Sequence, residues 1–347
     1  MQTLVEWGAG FSSNAEAIAG KPRRGEYLMN VIMLGAFPEE SKARLSASFP
    51  AGWTVCIAEP EMAEPFFPAA EVLIPEHIPV NRTLLDKLPS LKLVQTGAGY
   101  DNVDMEECTK RGVMVCNAKG LNAHAVAEHT MALILAWYKN IVLLDSFMKE
   151  RRADDELNYS GAELAGKTIG IIGLGAIGQR VAALSNAFGL KVIGYDHHPK
   201  SIPGVQNVRL DELLAESDIL SLHVPANGET KHLINRQTLE KMKPSALLVN
   251  TARGTIVDEE DLVNALTEHR IAGACLDVFA QEPLGLNSRL RDFPNVILTP
   301  HTAGLPDGVK FHAKRQAFFV NNIQKLMNNE LPDNLLNEQC LQARKKY

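Results

Sequence analysis

The sequence lacks both a long apolar run and a strongly basic block. A transmembrane helix needs about 18 consecutive apolar residues, and the longest apolar-rich stretch, residues 131–144, is interrupted by Lys139 and Asn140. Lysine and arginine number 35 against 41 acidic residues, so the formal net charge is −6. Nucleic acids and anionic membranes are therefore not expected as partners.

Cysteine is also scarce, with five residues in a chain of 347. Their number is odd, and their scattered positions fit neither a disulfide framework nor a set of metal ligands: Cys56, Cys108, Cys116, Cys275 and Cys340. We interpret them as reduced structural thiols. We therefore expect no metal site and a cytoplasmic protein.

The first 28 residues have no regular periodicity and no apolar core of a signal peptide. The regular pattern begins at Met29 and Asn30, just before the first apolar strand-like segment. We therefore expect residues 1–28 to be a loosely held extension that the rest of the chain does not need.

What the sequence does have is an alternation of strands and helices over residues 30–116. Short apolar segments predict strands at 31–34, 54–57, 72–74, 91–95 and 113–116, with helices between them, for example at 39–48 and 103–110. Alternating strands and helices indicate a parallel sheet that is covered on both faces. With 46% hydrophobic residues, the chain can form two domains that each have a core.

A glycine motif begins the second part of the pattern. Residues 168–172 are an apolar, β-branched run, and Gly173, Gly175 and Gly178 follow it as Gly-x-Gly-x-x-Gly. Apolar residues then recur at helical spacing up to residue 188, so the glycines lie between a strand and a helix. This context is typical of a dinucleotide site, where glycines let the pyrophosphate approach the backbone at a helix N-terminus.

A second strand, at 191–195, ends at Asp196, which lies 18 residues after Gly178 (196 − 178). An acid about 20 residues after the motif binds the ribose hydroxyls of NAD, and its charge repels the 2′-phosphate of NADP. We therefore expect NAD to be preferred. His197, His198 and Lys200 work against that preference, because they supply positive or near-positive charge nearby. The alternative is an ordinary packing turn with no ligand.

Between the two parts, residues 122–148 read as one long helix, apolar on most sides, which we expect to be buried and to bridge the domains. Further strands are predicted at 219–224, 246–249, 273–276 and 296–299, and helices at 210–216, 236–242 and 258–266. A terminal helix at 308–327 could cross back to the first domain.

Glycines also follow the fourth strand, in the segment 97–102. The carboxyl ends of parallel strands form the ligand crevice of an open α/β sheet. Backbone N–H groups of Gly97 and Gly99 are thus placed to bind an anion, although the segment could equally be a simple turn.

Three charged residues follow predicted strands of the second part, namely Arg253, Glu282 and His301. Each alone could be a structural or solvated residue. Together they supply what the reduction of a 2-oxo acid needs. A guanidinium binds a carboxylate through two hydrogen bonds, a protonated imidazole donates its proton to the carbonyl oxygen, and a neighbouring carboxylate stabilises the imidazolium.

With these motifs the chain resembles the D-isomer-specific 2-hydroxyacid dehydrogenases. The matching stretches are 91–104, 127–128, 161–178, Pro225 with Thr230, 250–254, 276–283 and 299–304. The resemblance implies an α/β fold of two doubly wound parallel-sheet domains, with a Rossmann cofactor domain inserted into a flavodoxin-like substrate domain. We expect residues 1–120 and 305–347 to form the substrate domain and residues 121–304 the NAD-binding domain. The resemblance also implies a homodimer joined through the cofactor domains.

The resemblance assigns roles to individual residues. Arg253 would orient the substrate, His301 would donate the proton, and Glu282 would be the partner of His301. Gly97, Ala98 and Gly99 would hold the substrate carboxylate, and Asp277 the nicotinamide amide. The full set expected to contact NAD comprises Gly173, Gly175, Ala176, Ile177, Gly178, Asp196, Val224, Pro225, Thr230, Thr251, Ala252, Arg253, Asp277 and His301.

The activity expected is reduction of small 2-oxo acids, as in a glyoxylate or hydroxypyruvate reductase. A phosphoglycerate dehydrogenase and an NAD-sensing, corepressor-like interaction protein remain alternatives. Glu76 and His77, in the loop after the third strand, should face the substrate side chain. A carboxylate there would repel a distal anion, so we expect weak activity on 3-phosphohydroxypyruvate and 2-oxoglutarate. The alternative is that Glu76 points to solvent.

Overall fold

Five parallel strands form the first sheet of the protein, in a computed structural model that describes residues 29–76, 78–150, 161–304 and 309–344. The strands are β1 (Asn30–Leu34), β2 (Thr54–Ala58), β3 (Val72–Pro75), β4 (Leu93–Thr96) and β5 (Met114–Asn117). Their order is β2-β1-β3-β4-β5, the flavodoxin-like arrangement. Helices α1 (Glu39–Ala47), α2 (Pro60–Ala63), α3 (Arg82–Asp86) and α4 (Met105–Lys110) connect them.

The segment predicted as one long helix is broken in two, α5 (Ala123–Tyr138) and α6 (Ile141–Lys149), bent by 62°. The prediction of a single helix was wrong because Asn140 adopts the left-handed conformation, at φ 54°, which asparagine tolerates better than most residues. The buried face that the sequence predicted belongs to α5, whereas α6 has no buried residue. Among the described residues, no single helix is long and apolar enough to cross a membrane. The bent pair α5 and α6 together has the length and composition of a membrane-spanning segment, and no other pair of described helices does.

Seven parallel strands form the second sheet, in the order β12-β11-β10-β9-β6-β7-β8. The strands are β6 (Thr168–Ile172), β7 (Lys191–Tyr195), β8 (Val205–Asn207), β9 (Ile219–Leu222), β10 (Leu247–Asn250), β11 (Gly273–Leu276) and β12 (Val296–Leu298). Helices α7 (Ala176–Ala187), α8 (Leu210–Glu216), α9 (Arg236–Leu239) and α10 (Glu259–Thr267) cover the sheet. The order reverses between β6 and β9, as in the Rossmann fold. The sequence did not predict β8, because this edge strand is short and mostly exposed.

The chain then returns to the first sheet through α11 (Val309–Met327). Phe319, Ile323 and Leu326 of this helix are buried in the core of the first sheet, together with Met33 and Ile74. A short helix, α12 (Cys340–Arg344), ends the described chain. The fold-class prediction is therefore confirmed, since the second sheet is inserted into the unit built on the first. The exact domain limits at residues 120 and 304 stay predictions, and residues 1–28 lie outside the described part.

Candidate active site

The carboxyl ends of the two sheets meet at a cleft. The loop after β4 contributes Ala98 to Asp101 on one side, and the ends of β9, β10 and β11 and the segment after β12 line the other. This is where the crevice of an open α/β sheet is expected. Ten of the residues predicted for the site line this cleft: Ala98, Gly99, Ile177, Val224, Pro225, Thr251, Ala252, Arg253, Asp277 and His301.

The glycine turn after β6 has the geometry that the sequence predicted. Gly173 has φ +95°, and a Cβ there would lie 2.5 Å from the carbonyl oxygen of His223, so only glycine fits. At Gly178 a Cβ would overlap the carbonyl oxygen of Gly173, which explains how helix and strand pack so closely. Gly175 is the N-cap residue of α7, and a Cβ there would meet open space. Its backbone is thus accessible to an anion at the helix N-terminus, and Ala176 is the first residue of that helix.

Asp196 lies directly after β7 and faces the same turn. Its Oδ2 accepts a hydrogen bond from the Leu174 backbone N–H at 2.8 Å, and Oδ1 accepts one from His198 at 2.9 Å. Burial raises the pKa of Asp196, but these two N–H groups and the charge of Lys200 outweigh it and leave the pKa below its ordinary value. A carboxylate with two oxygens has further acceptor sites for ribose hydroxyls. The turn and this acid therefore fit the adenosine half of NAD.

Thr230 contacts a turn at the cleft without lining the cleft itself. Its side chain is buried, donates to the Pro225 carbonyl at 2.6 Å and accepts from the Asn227 backbone N–H at 2.9 Å. Thr230 thus holds in place the turn that carries Pro225. The spacing of residues in the sequence alone did not indicate this role.

His301 and Glu282 are in direct contact. Nδ1 of His301 lies 2.6 Å from Oε2 of Glu282, while Oε1 of Glu282 accepts a hydrogen bond from the Phe279 backbone N–H at 3.0 Å. A fixed carboxylate beside Nδ1 sets the orientation of the imidazole ring and can accept a hydrogen bond from an N–H group at Nδ1. This arrangement can hold a proton in the cleft that His301 lines.

Asp277 fixes the turn that bears His301. The carboxylate is fully buried and accepts hydrogen bonds from the backbone N–H groups of Thr302 and Ala303, both at 2.9 Å, and from the Thr299 hydroxyl at 2.6 Å. The backbone N–H of His301, whose φ is +55°, donates to the Asp277 carbonyl at 2.7 Å. Asp277 also lines the cleft. The sequence did not indicate its main contacts, which stabilise the turn.

Arg253 is held from two directions. Its Nε donates to Oδ1 of Asp101 at 2.9 Å, and Nη1 donates to the carbonyl of Ala252 at 2.7 Å. The backbone carbonyl of Arg253 accepts a hydrogen bond from the side-chain amide of Asn250 at 2.9 Å, and this bond fixes the turn after β10. Asp101 belongs to the loop after β4, so this ion pair joins the two walls of the cleft.

The other predicted substrate residues are distributed around the first sheet. A Cβ on Gly97 would meet open space, whereas one on Gly99 would overlap the guanidinium of Arg253. Glu76 does not point freely into solvent. Its carboxylate is paired with Arg315 of α11, with Oε1 at 2.8 Å from Nη2 and Oε2 at 3.2 Å from Nη1. His77 lies outside the described residues.

Several residues that line the cleft were missed by the sequence reasoning, among them Asp101, Asn122 and His223. His223 directly follows β9, a strand-end position that could have marked it. Its Nε2 contacts the Ser221 hydroxyl at 2.9 Å, and its Nδ1 is buried without a hydrogen-bond partner in the described structure. Burial lowers the pKa of His223 to about 3, so this ring is neutral at the cofactor site.

Comparison with known proteins agrees with this geometry. Residues 131–303 match the family model described as D-isomer specific 2-hydroxyacid dehydrogenase, NAD binding domain. A glyoxylate reductase from Thermofilum pendens is 41% identical over 274 residues, which cover 76% of this chain and 80% of the relative. A D-3-phosphoglycerate dehydrogenase from a Synechocystis species is 42% identical over 227 residues, which cover 64% of this chain but only 41% of that longer relative.

Solved structures show the same fold. A D-lactate dehydrogenase from Aquifex aeolicus, complexed with NAD and lactic acid, has a TM-score of 0.80 at 30% identity and covers 89% of this chain and 99% of its own. An NADPH-dependent glyoxylate/hydroxypyruvate reductase from Sinorhizobium meliloti, in complex with NADP and malonate, has a TM-score of 0.79 at 27% identity. The match covers 90% of this chain and 97% of that reductase. These similarities extend over both domains.

Proposed function

We propose, since this chain belongs to the D-isomer-specific 2-hydroxyacid dehydrogenase family, that it reduces small 2-oxo acids to D-2-hydroxy acids with His301 as the proton donor. Membership makes the protein an NAD-dependent oxidoreductase. The proposal therefore concerns the substrate and the roles of the residues. The observation that carries it is the contact between His301 and Glu282 in a cleft that Arg253 also lines.

NADH supplies, when bound, the hydride that reduces the carbonyl carbon of the substrate. Gly173, Gly175 and Gly178 would hold its pyrophosphate, and Asp196 its ribose. The buried carboxylate of Asp277 keeps one oxygen, Oδ2, with a single backbone donor among the described residues. An amide group of the nicotinamide could donate to that oxygen.

Arg253 is proposed to bind the carboxylate of the substrate. Two of its N–H groups are engaged by Asp101 and Ala252, so the Nη2 end of the guanidinium is directed toward Gly99. Backbone N–H groups of Gly97, Ala98 and Gly99 would bind the same carboxylate from the other wall of the cleft. The carbonyl carbon of the substrate would then lie between the two walls, in a fixed orientation that by itself would accelerate the reaction.

His301 is proposed to give its proton to the carbonyl oxygen during reduction and to take it back during oxidation. Glu282 stabilises the imidazolium form that donates, because its negative charge lies 2.6 Å from Nδ1. The hydrogen bonds that Asp277 accepts from the backbone N–H groups of His301, Thr302 and Ala303 hold the turn that carries the ring.

A panel of 2-oxo acids tests the substrate class. Glyoxylate, hydroxypyruvate, pyruvate, 2-oxoglutarate and 3-phosphohydroxypyruvate would each be mixed with the full chain and NADH, and NADH absorbance followed. We expect turnover of the small neutral-tailed acids. No turnover of any of them would contradict the proposal, and a preference for 3-phosphohydroxypyruvate would identify a phosphoglycerate dehydrogenase instead.

We also propose that the protein is a homodimer joined through the cofactor domain. Helix α6 buries no side chain within the chain, and it exposes Ile141 at 53%, Val142 at 54% and Met148 at 66%. Exposed apolar side chains clustered on one helix are typical of an interaction surface, and a symmetric pairing would cover this one with its own copy. Light scattering after gel filtration should show a dimer, and Ile141→Glu with Met148→Glu a monomer. A monomeric parent would contradict this. The cytoplasmic location stays a prediction.

A further inference from the structure

We propose that Asp101 is a positioning residue for substrate binding, which acts by orienting the guanidinium of Arg253 across the cleft. This inference rests on the proposed function, because it requires Arg253 to be the cation that binds the substrate carboxylate. Asp101 is not part of the predicted site. The inference starts from its ion pair with Arg253, which connects the loop after β4 to the end of β10.

The two anchors of Arg253 fix the plane of its guanidinium. Nε donates to Asp101 at 2.9 Å, and Nη1 donates to the Ala252 carbonyl at 2.7 Å. A guanidinium is rigid and planar, so bonds at two of its nitrogens determine where the third nitrogen points. The third, Nη2, lies against Gly99, one of the residues proposed to bind the same carboxylate.

Gly99 shows how closely these groups approach. A Cβ added there would overlap Nη2 of Arg253 and would come within 2.9 Å of Oδ1 of Asp101. A side chain at position 99 would therefore displace the guanidinium from its present position. The backbone of the loop, the carboxylate of Asp101 and the guanidinium form one packed unit, so the position of the guanidinium depends on Asp101.

A carboxylate beside an anion-binding site has an apparent disadvantage, because it repels the substrate carboxylate. The side chain of Asp101 is 48% exposed, so water and salt screen that repulsion. Its bond to Nε is direct and charge-assisted, and ordering a long side chain before the substrate arrives lowers the entropic cost of binding. We conclude that orientation outweighs repulsion.

The first test is Asp101→Ala in the full chain loaded with NADH. With glyoxylate as substrate, KM should rise about tenfold while kcat changes less than about threefold. The affinity for oxamate, an unreactive anion measured by NADH fluorescence, should fall by the same factor, and the Kd of NADH should stay unchanged. Asp101→Glu should recover part of the loss, since a longer carboxylate on an exposed loop can still reach Nε.

Asp104→Asn is the matched control. Asp104 belongs to the same loop region and caps α4 by accepting a bond from the Glu107 backbone N–H, a role that asparagine can keep. This variant removes one negative charge from the same loop region, outside the lining of the cleft, so an effect of net charge in that region would appear in it too. KM for glyoxylate should equal that of the parent.

A double-mutant comparison shows whether Asp101 acts through Arg253. In an Arg253→Lys background, Asp101→Ala should change KM less than about twofold, because lysine lacks the planar fork that Asp101 orients. An equal effect in both backgrounds would overturn the inference. An unchanged or lower KM in Asp101→Ala alone would overturn it as well and would show that repulsion dominates. If Arg253→Lys itself leaves KM unchanged, the proposed role of Arg253 fails and this inference fails with it.

Discussion

The imidazole of His301 and the carboxylate of Glu282 lie 2.6 Å apart, Nδ1 to Oε2, although 19 residues separate them in the chain. This contact predicts that His301→Ala lowers kcat by a factor of about 10² to 10⁴ while NADH binding is nearly unchanged, since only the proton donor is lost. Steady-state kinetics and NADH fluorescence titration measure both. His269→Asn, at an exposed position with φ 51° that asparagine tolerates, serves as the control. A loss of less than about tenfold would remove His301 from the proton transfer.

Glu282→Gln should shift the pH profile of reduction. The glutamine oxygen can keep the bond from the Phe279 backbone N–H, which turns the amide NH₂ group toward Nδ1 of His301. That group donates a hydrogen bond and therefore favours the neutral imidazole, the form that cannot give a proton. We expect the activity of the variant to decline at a lower pH than that of the parent. A profile that does not move would show that the contact has no part in the reaction.

The pair of Glu76 and Arg315 should control whether the site accepts a distal anion. The two side chains form an ion pair with one hydrogen bond, from Nη1 of Arg315 to Oε2 of Glu76, and their exposures are 11% and 21%, so each cancels the charge of the other. Glu76→Gln uncovers the cation and should raise kcat/KM for 2-oxoglutarate and 3-phosphohydroxypyruvate about tenfold relative to glyoxylate. Arg315→Gln uncovers the carboxylate and should do the opposite.

Both variants leave a partly buried charge without its partner, which destabilises the fold. Thermal unfolding of each therefore accompanies the kinetics, and only the ratio between substrates is interpreted. Equal changes for all substrates would mean that the pair stabilises the domain without facing the substrate. Glu39→Gln, which removes an acid from an exposed surface pair, is the control.

NADH should be preferred over NADPH because the negative charge of Asp196, which is kept down to low pH, repels the 2′-phosphate of NADPH. The pKa of Asp196 is held below its ordinary value against the effect of burial, chiefly by backbone N–H groups of His198 and Leu174. Asp196→Asn should lower the NADH over NADPH ratio of kcat/KM by about tenfold or more. Asp211→Asn, an exposed carboxylate paired with Lys241, should leave the ratio unchanged. A parent that prefers NADPH would refute the role given to Asp196.

His223 should make the protein sensitive to acid. Its pKa is lowered to about 3 by burial, against an ordinary value of 6.5, so the unfolded chain takes up the proton first. This contribution to the free energy of unfolding is therefore fully present above about pH 6.5 and decreases as the pH falls. The decrease amounts to about 2 kcal/mol at most when the pH reaches about 5. Over the same pH range, the free energy of unfolding measured in urea should decrease less for His223→Asn than for the parent. His269→Asn, at an exposed site with φ 51° that asparagine tolerates, should behave like the parent. Equal slopes for all three would contradict the assignment.

Local sequence pattern determined the secondary structure and much of the cofactor site. The glycine turn from Gly173 to Gly178 is recognisable because a strand, three glycines at fixed spacing and the start of a helix occur within about a dozen residues. Arg253 and His301 could be predicted for the cleft because each follows a strand whose carboxyl end must face it. The resemblance to a family added Glu282 as the partner of His301. The two segments that the pattern misjudged, the break at Asn140 and the edge strand β8, depend on a left-handed backbone and on a neighbouring strand.

Tertiary structure alone decided which charges meet. Asp101 and Arg253 are 152 residues apart, and Glu76 and Arg315 are 239 residues apart. No periodicity connects such pairs, because they come together only when strand ends of two sheets and the returning helix α11 pack against each other. Burial likewise cannot be read from a single histidine, and the low pKa of His223 follows from the walls that enclose it. The sequence by itself thus determined the class of chemistry, whereas the partners that tune it were set by the packing of distant segments.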